Sequence, residues 1–220
     1  MSRAPFALPR VYPILDTATL IARRLTPLDA ARAAIDGGAR ILQFRHKDGF
    51  TRAMVEEARK IAALCAGAGV LFVMNDRADL ARLLDGGLHI GQEDLLPADA
   101  RAVLGEELPL GYSTHNLKQL REATAEPVDY LAIGPIFATG SKENPDPVLG
   151  LEPLPHLRTL TTKPLVAIGG ITLANAESVL ATGIDSVAVI SDLIPYLHQW
   201  SMWGGRPRPR SAPWPANSLP

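Results

Sequence analysis

Residues 41–74 read ILQFRHKDGFTRAMVEEARKIAALCAGAGVLFVM, and the reading of this stretch decides the fold class. Ile41–Arg45 and Val70–Met74 are short strand-like runs. Between them Thr51 stands as a helix-starting hydroxyl before Arg52–Ala66, and Gly67 supplies a left-handed stop. A strand, a helix and a second strand in that order predict a parallel pair joined by a crossover helix.

The same alternation continues in both directions. Further strand-like runs are Val11–Leu15, Gly87–Ile90, Leu108–Tyr112, Tyr130–Ile133, Leu165–Ile168 and Ser186–Ile190. Helix starts are marked by Thr26-Pro27 with Asp29, by Asn116 before Leu117–Ala125 and by Thr172 before Leu173–Thr182. Gly37-Gly38 and Gly183 mark stops. Eight apolar strands alternating with helices predict an α/β fold, a single (β/α)8 TIM barrel over residues 1–204. An open doubly wound sheet is the competing fold, but no G-x-G-x-x-G follows the first strand. Residues 205–220 form a Pro/Arg-rich tail, and Pro207, Pro209, Pro213 and Pro215 forbid a continuing helix, so this tail is expected to be extended or disordered. All three tryptophans fall at or after Trp200, where a last amphipathic helix would be expected.

Composition narrows the function classes. The 220 residues are 47% hydrophobic and 20% charged, enough for a sizeable core, and the formal net charge of −1 gives no bulk electrostatic case for nucleic acid or a membrane surface. A single cysteine, Cys65, excludes an internal disulfide framework and suits a reducing compartment. Prolines 5, 9 and 13 with Arg10 break up any signal-peptide core, and no apolar run approaches membrane-spanning length. The expectation is a cytoplasmic protein acting on small molecules, with self-association left open.

In such a barrel, chemistry gathers just after the strand ends. After the second strand, alternation places Gln43, Arg45 and Lys47 on one face and Phe44 and His46 on the other. That cationic cluster is too costly to bury without an anionic or polar partner. Asn75-Asp76 and Gly91-Gln92-Glu93-Asp94 follow the third and fourth strands, and Asp76 and Asp94 together suit a divalent cation such as Mg²⁺. Taken singly, Asp76 also reads as a helix cap and Asp94 as a turn residue. Ser113 follows the fifth strand. Thr139-Gly140-Ser141-Lys142 follows the sixth, Gly169-Gly170 the seventh and Ile190-Ser191 the eighth. Hydroxyls, glycines and one ammonium in these loops suit phosphate. His115 reads either as a helix-start residue or as a general acid/base, and His89 as a hydrogen-bonded interior residue.

The motifs Gln43-Phe44-Arg45-His46-Lys47, Asn75-Asp76-Arg77, His89-Ile90-Gly91-Gln92-Glu93-Asp94, Gly134-Pro135-Ile136-Phe137, Ala167-Ile168-Gly169-Gly170-Ile171 and Ala188-Val189-Ile190-Ser191 stand in order between Tyr12 and Ser191. In these the chain resembles the thiamine-phosphate synthase family. The resemblance implies a (β/α)8 barrel that joins hydroxymethylpyrimidine diphosphate to thiazole phosphate and releases pyrophosphate with Mg²⁺. It further implies that Gln43, Arg45, Lys47, Asn75, Ser113 and Lys142 hold the pyrimidine diphosphate, with Arg45, Lys47 and Lys142 acting on the leaving group. Asp76 and Asp94 would bind Mg²⁺, and Thr139, Ser141, Gly170, Ile190 and Ser191 would hold the thiazole phosphate. His46 departs from a position often acidic in the family; since it faces away from Arg45 and Lys47, its expected role is packing or support of the residues that line the site. Two other readings stay open: a thiazole tautomerase using His115, and a non-catalytic phosphate-ligand sensor.

Overall fold

Strands that are apolar on both faces need cover on both, and closing the sheet on itself gives each strand an inside and a helix-covered outside. The computed structural model describes residues 6–140 and 146–194. β1 (Val11–Asp16) is followed by α1 (Thr17–Ala22) and α2 (Pro27–Asp36), β2 (Ile41–Arg45) by α3 (Arg52–Gly67), and β3 (Leu71–Asn75) by α4 (Ala78–Leu83). β4 (Gly87–Ile90) leads to α5 (Pro97–Leu104), β5 (Leu110–Thr114) to α6 (Leu117–Ala123), and β6 (Tyr130–Ile133) to α7 (Leu154–Arg158). β7 (Leu165–Ala167), α8 (Leu173–Leu180), β8 (Ser186–Val189) and a 3-10 turn at Ser191–Leu193 complete the described chain. Every neighbouring pair is parallel and β8 pairs with β1, so the sheet is a closed eight-stranded barrel. No described helix is long and apolar enough to cross a membrane.

The helix starts read from sequence are caps in fact. Thr26 accepts from the Asp29 N–H, Thr51 from Met54 and Asn116 from Gln119. α1 is an element the strand–helix alternation did not indicate. It is six residues long and begins where Asp16, at the tip of β1, accepts the Thr19 N–H at 2.9 Å. The fifth strand runs Leu110–Thr114 rather than Leu108–Tyr112, so Ser113 lies inside the strand instead of in the loop beyond it. Its start is set by Asp129, whose carboxylate accepts the Leu110 N–H at 2.7 Å and pairs with Arg101 of α5. Asp185 repeats the arrangement two strands on, accepting the Leu165 N–H at 2.8 Å and pairing with Arg158 of α7.

Side chains alternate cleanly. Leu42, Phe44, Leu88, Leu131 and Val187 pack outward against the helices, whereas Tyr12, Ile41, Val73, Tyr130 and Val166 fill the barrel interior. Gly111 is required there by its neighbour: a Cβ at this position would sit 2.1 Å from the Tyr130 ring, which lies across β5. Phe6 stacks beneath that ring at 5.5 Å and closes the bottom. The tail from residue 195, with its tryptophans, lies outside the described residues.

Candidate active site

Among the large interior residues Ala132 and Ala188 are small, and over them opens a cavity of about 850 Å³ that reaches the C-terminal ends of the strands. Gln43, Arg45 and Lys47 line it from β2 and its end, and Asn75, Asp76 and Asp94 from the ends of β3 and β4. Ser113 enters from β5; Thr139, Gly170, Ile190 and Ser191 come from the far side, after β6, β7 and β8. Ser141 and Lys142 lie outside the described residues.

Electrostatics knit the first wall together. Arg45 donates through Nη1 to Asp16, and Lys47 donates through Nζ to Asp76. Burial works to raise the Asp16 carboxyl, but the Thr19 hydroxyl and N–H and the Arg45 charge outweigh it and hold it below the usual carboxylate range. Asp16 is therefore the anionic anchor that orients Arg45. The same anchor starts α1, whose C-terminal Arg23 also lines the cavity.

Asp76 is not a helix cap. It sits in the left-handed region at φ 63°, held by its N–H to the His89 carbonyl at 2.8 Å, and α4 begins after Arg77 without a side-chain cap. This kink turns its carboxyl toward Lys47 and the Asp94 carboxyl. Burial, then Asp94, push Asp76 up to about 6 against the pull of Lys47. Asp94 does serve its turn, accepting the Gly91 N–H at 2.7 Å, while lining the cavity. Two adjoining carboxyls are a donor set of the kind that holds a hard divalent cation. Beside them the Asn75 Nδ2 is buried with no hydrogen-bond partner, an arrangement that a ligand oxygen would complete.

The opposite wall is made of backbone. Ile136 and Phe137 donate to the Ile168 and Gly169 carbonyls at 2.9 and 3.0 Å, which straps the loop after β6 onto the end of β7. Gly170 has φ 65° and a Cβ there would lie 2.6 Å from the Ala138 carbonyl oxygen, so only glycine fits. Asn175 of α8 accepts the Thr172 N–H and donates to the Gly170 carbonyl at 3.0 Å, fixing this turn. The 3-10 turn carrying Ser191 is held by Asp192, which accepts the Leu173 N–H at 2.8 Å.

The histidines divide as their environments dictate. His46 points out of the cavity, bonded to Thr17 Oγ1 at 2.8 Å and set edge-on to Phe50. His115 lines the cavity, yet its Nδ1 must donate to the Gly134 carbonyl at 2.8 Å, with Asp146 3.4 Å away. His89 lies in the floor between Tyr130 and Ser113, and burial pushes it down to about 4. Asp16, Arg23, Tyr12 and Tyr130 carry no site signal in the sequence. The first two are the caps of the unforeseen α1; the tyrosines look like strand core.

Residues 11–193 match the family described as thiamine monophosphate synthase. A thiamine-phosphate synthase of Koribacter versatilis (strain Ellin345) is 49% identical over 191 residues, covering 85% of this chain and 90% of that one. A thiamine-phosphate synthase of Chloroflexus aurantiacus is 41% identical over 186 residues, covering 84% and 85%. Among solved structures, a thiamine phosphate pyrophosphorylase from Pyrococcus furiosus superposes with a TM-score of 0.74 at 34% identity, covering 88% of this chain and 94% of that one.

Proposed function

The chain belongs to the thiamine monophosphate synthase family and is an enzyme that forms thiamine phosphate, and from that premise we propose how its cavity divides the work. The substrates are 4-amino-2-methyl-5-hydroxymethylpyrimidine diphosphate and thiazole phosphate; the products are thiamine phosphate and pyrophosphate. The relatives do not favour the tautomerase or the sensor. The observation that carries the assignment is a cavity whose β2–β4 wall bears charge and whose β6–β8 wall bears glycine and hydroxyls.

The diphosphate belongs on the charged wall. Arg45 keeps guanidinium N–H groups to spare beyond the one given to Asp16, Lys47 adds a point charge, and Asn75 brings its unpartnered amide. Asp76 and Asp94 would hold Mg²⁺, which when bound neutralises part of the diphosphate charge. Gln43 and Ser113 grip the pyrimidine diphosphate lower in the barrel. Thr139 and Ser141, with the glycine turn at Gly170 and the Ile190-Ser191 turn, take the thiazole phosphate.

When the bond from the pyrimidine methylene to the diphosphate oxygen breaks, its electron pair leaves with pyrophosphate. The remaining carbocation-like centre is delocalised over the aminopyrimidine, and the thiazole nitrogen lone pair forms the new C–N bond. Arg45, Lys47 and Lys142 stabilise charge accumulating on the leaving group, and the far wall orients the nucleophile. No protein nucleophile takes part. The test is pyrophosphate release with both substrates across a Mg²⁺ titration. Asp76→Asn and Asp94→Asn should each lose roughly a hundredfold in turnover while keeping the far-ultraviolet circular dichroism of the barrel. Near-wild-type rates in both would refute the metal assignment.

A further inference from the structure

Beneath the cavity, four hydrogen bonds cross the barrel from β2 to β5. Gln43 Nε2 donates to the Tyr12 hydroxyl at 3.1 Å, and the Tyr12 and Tyr130 hydroxyls are 2.9 Å apart. The Tyr130 hydroxyl is 3.1 Å from His89 Nδ1, and His89 Nε2 is 2.8 Å from Ser113 Oγ. All but Ser113 are buried.

One direction satisfies every group of the series. An amide nitrogen only donates; were Tyr12, which accepts from Gln43, to accept from Tyr130 as well, its own proton would be buried without an acceptor, so the arrangement that pairs every proton has Tyr12 donating to Tyr130. Tyr130 in turn gives its proton to His89 Nδ1. The imidazole then carries its proton on Nε2 and donates to Ser113. Having accepted, the serine hydroxyl is left with a proton to give, and Ser113 is the half-exposed end of the series, on the wall of the cavity. Gly111 makes the geometry attainable, because its missing side chain is the space through which Tyr130 reaches from β6 toward β4.

We propose that Tyr12, Tyr130 and His89 are positioning residues that lock Ser113 as a hydrogen-bond donor to an acceptor atom of the pyrimidine diphosphate. This rests on the function proposed above. It gives the buried polar residues of the floor a task beyond packing, and it places neutral dipoles, rather than an imidazolium, beneath the carbon that becomes cation-like.

Two measurements test this. In the full-length enzyme at pH 8, ¹⁵N spectra of labelled histidine should show His89 as the neutral Nε2–H tautomer, with the signal assigned by its loss in His89→Gln. The Nδ1–H tautomer would overturn the proposal, and the wild-type spectrum requires no variant to fold. The second is a kinetic cycle. Tyr130→Phe and Ser113→Ala should each lower kcat by about tenfold, the double variant should be no slower than Ser113→Ala, and KM for thiazole phosphate should not move. Additive losses would show that Tyr130 acts through packing alone and would also overturn the proposal. If wild-type enzyme forms no thiamine phosphate, the functional reading fails, and the tautomer still decides the direction of the chain of bonds.

Discussion

Replacing Gly111 with alanine tests the barrel floor most severely. The added methyl would lie 2.1, 2.4 and 2.5 Å from Cζ, Cε2 and Oη of Tyr130, whereas ordinary carbon contacts begin near 3.4 Å, so the ring has to move by more than 1 Å. It has nowhere to go. Tyr130 is fully buried, stacked on Phe6 and bonded through its hydroxyl to Tyr12 and His89. Overpacking of this kind costs about 1–3 kcal/mol, and breaking two interior hydrogen bonds adds about 1 kcal/mol each, for a loss of about 3–5 kcal/mol. For a domain of this size that corresponds to a melting temperature lower by roughly 10 °C. Thermal denaturation followed by circular dichroism reads it directly. The companion variant Gly111→Ala with Tyr130→Ala should melt higher than Gly111→Ala alone, because the second change vacates the contested space. A single variant within about 1 kcal/mol of wild type, or a double variant no better than the single, would refute the view that the Tyr130 ring dictates glycine at 111.

Stability should fall as pH drops through the window set by His89, whose folded value of about 4 lies below the unfolded 6.5. The unfolded chain binds the extra proton first, so the contribution is complete above pH 6.5 and lost by pH 4, amounting to about 3 kcal/mol at about 1.4 kcal/mol per pH unit. Urea denaturation at a series of pH values measures it, and His89→Gln should flatten the slope; an unchanged slope would remove His89 as its source. Gly170→Ala forces a side chain into the left-handed region and against Ala138 and Phe137, so KM for thiazole phosphate should rise by tenfold or more, on the order of the 1–3 kcal/mol such strain costs. An unaltered KM would place the thiazole phosphate elsewhere.

The barrel is legible in the sequence because its signals are local and repeated. Caps at Thr26, Thr51 and Asn116 need only the next three residues to act, and the strict inside–outside alternation of a closed parallel sheet is written into each strand separately. That alternation is also sufficient to put Gln43, Arg45 and Lys47 on the cavity side and His46 on the other. Short α1 escapes notice because a six-residue helix held by one carboxylate has too few turns to show a period.

Tertiary structure alone decides what the residues of different strands do to one another. Asp76 and Asp94 are eighteen positions apart in the chain, and only the pairing of β3 with β4 makes their carboxyls neighbours, so that Asp94 helps to raise the Asp76 carboxyl. Asp16 acquires meaning only when β2 lays Arg45 beside it. The hydrogen bonds of the floor join residues of β1, β2, β4, β5 and β6, none of which specifies its partners alone, and a tyrosine within an apolar strand reads as core. The physical reason is one of range. Capping and alternation act through bonds a few residues long, whereas hydrogen bonds across a barrel and the mutual repulsion of two carboxylates act through space, between groups that only closure of the sheet brings within about 3 Å.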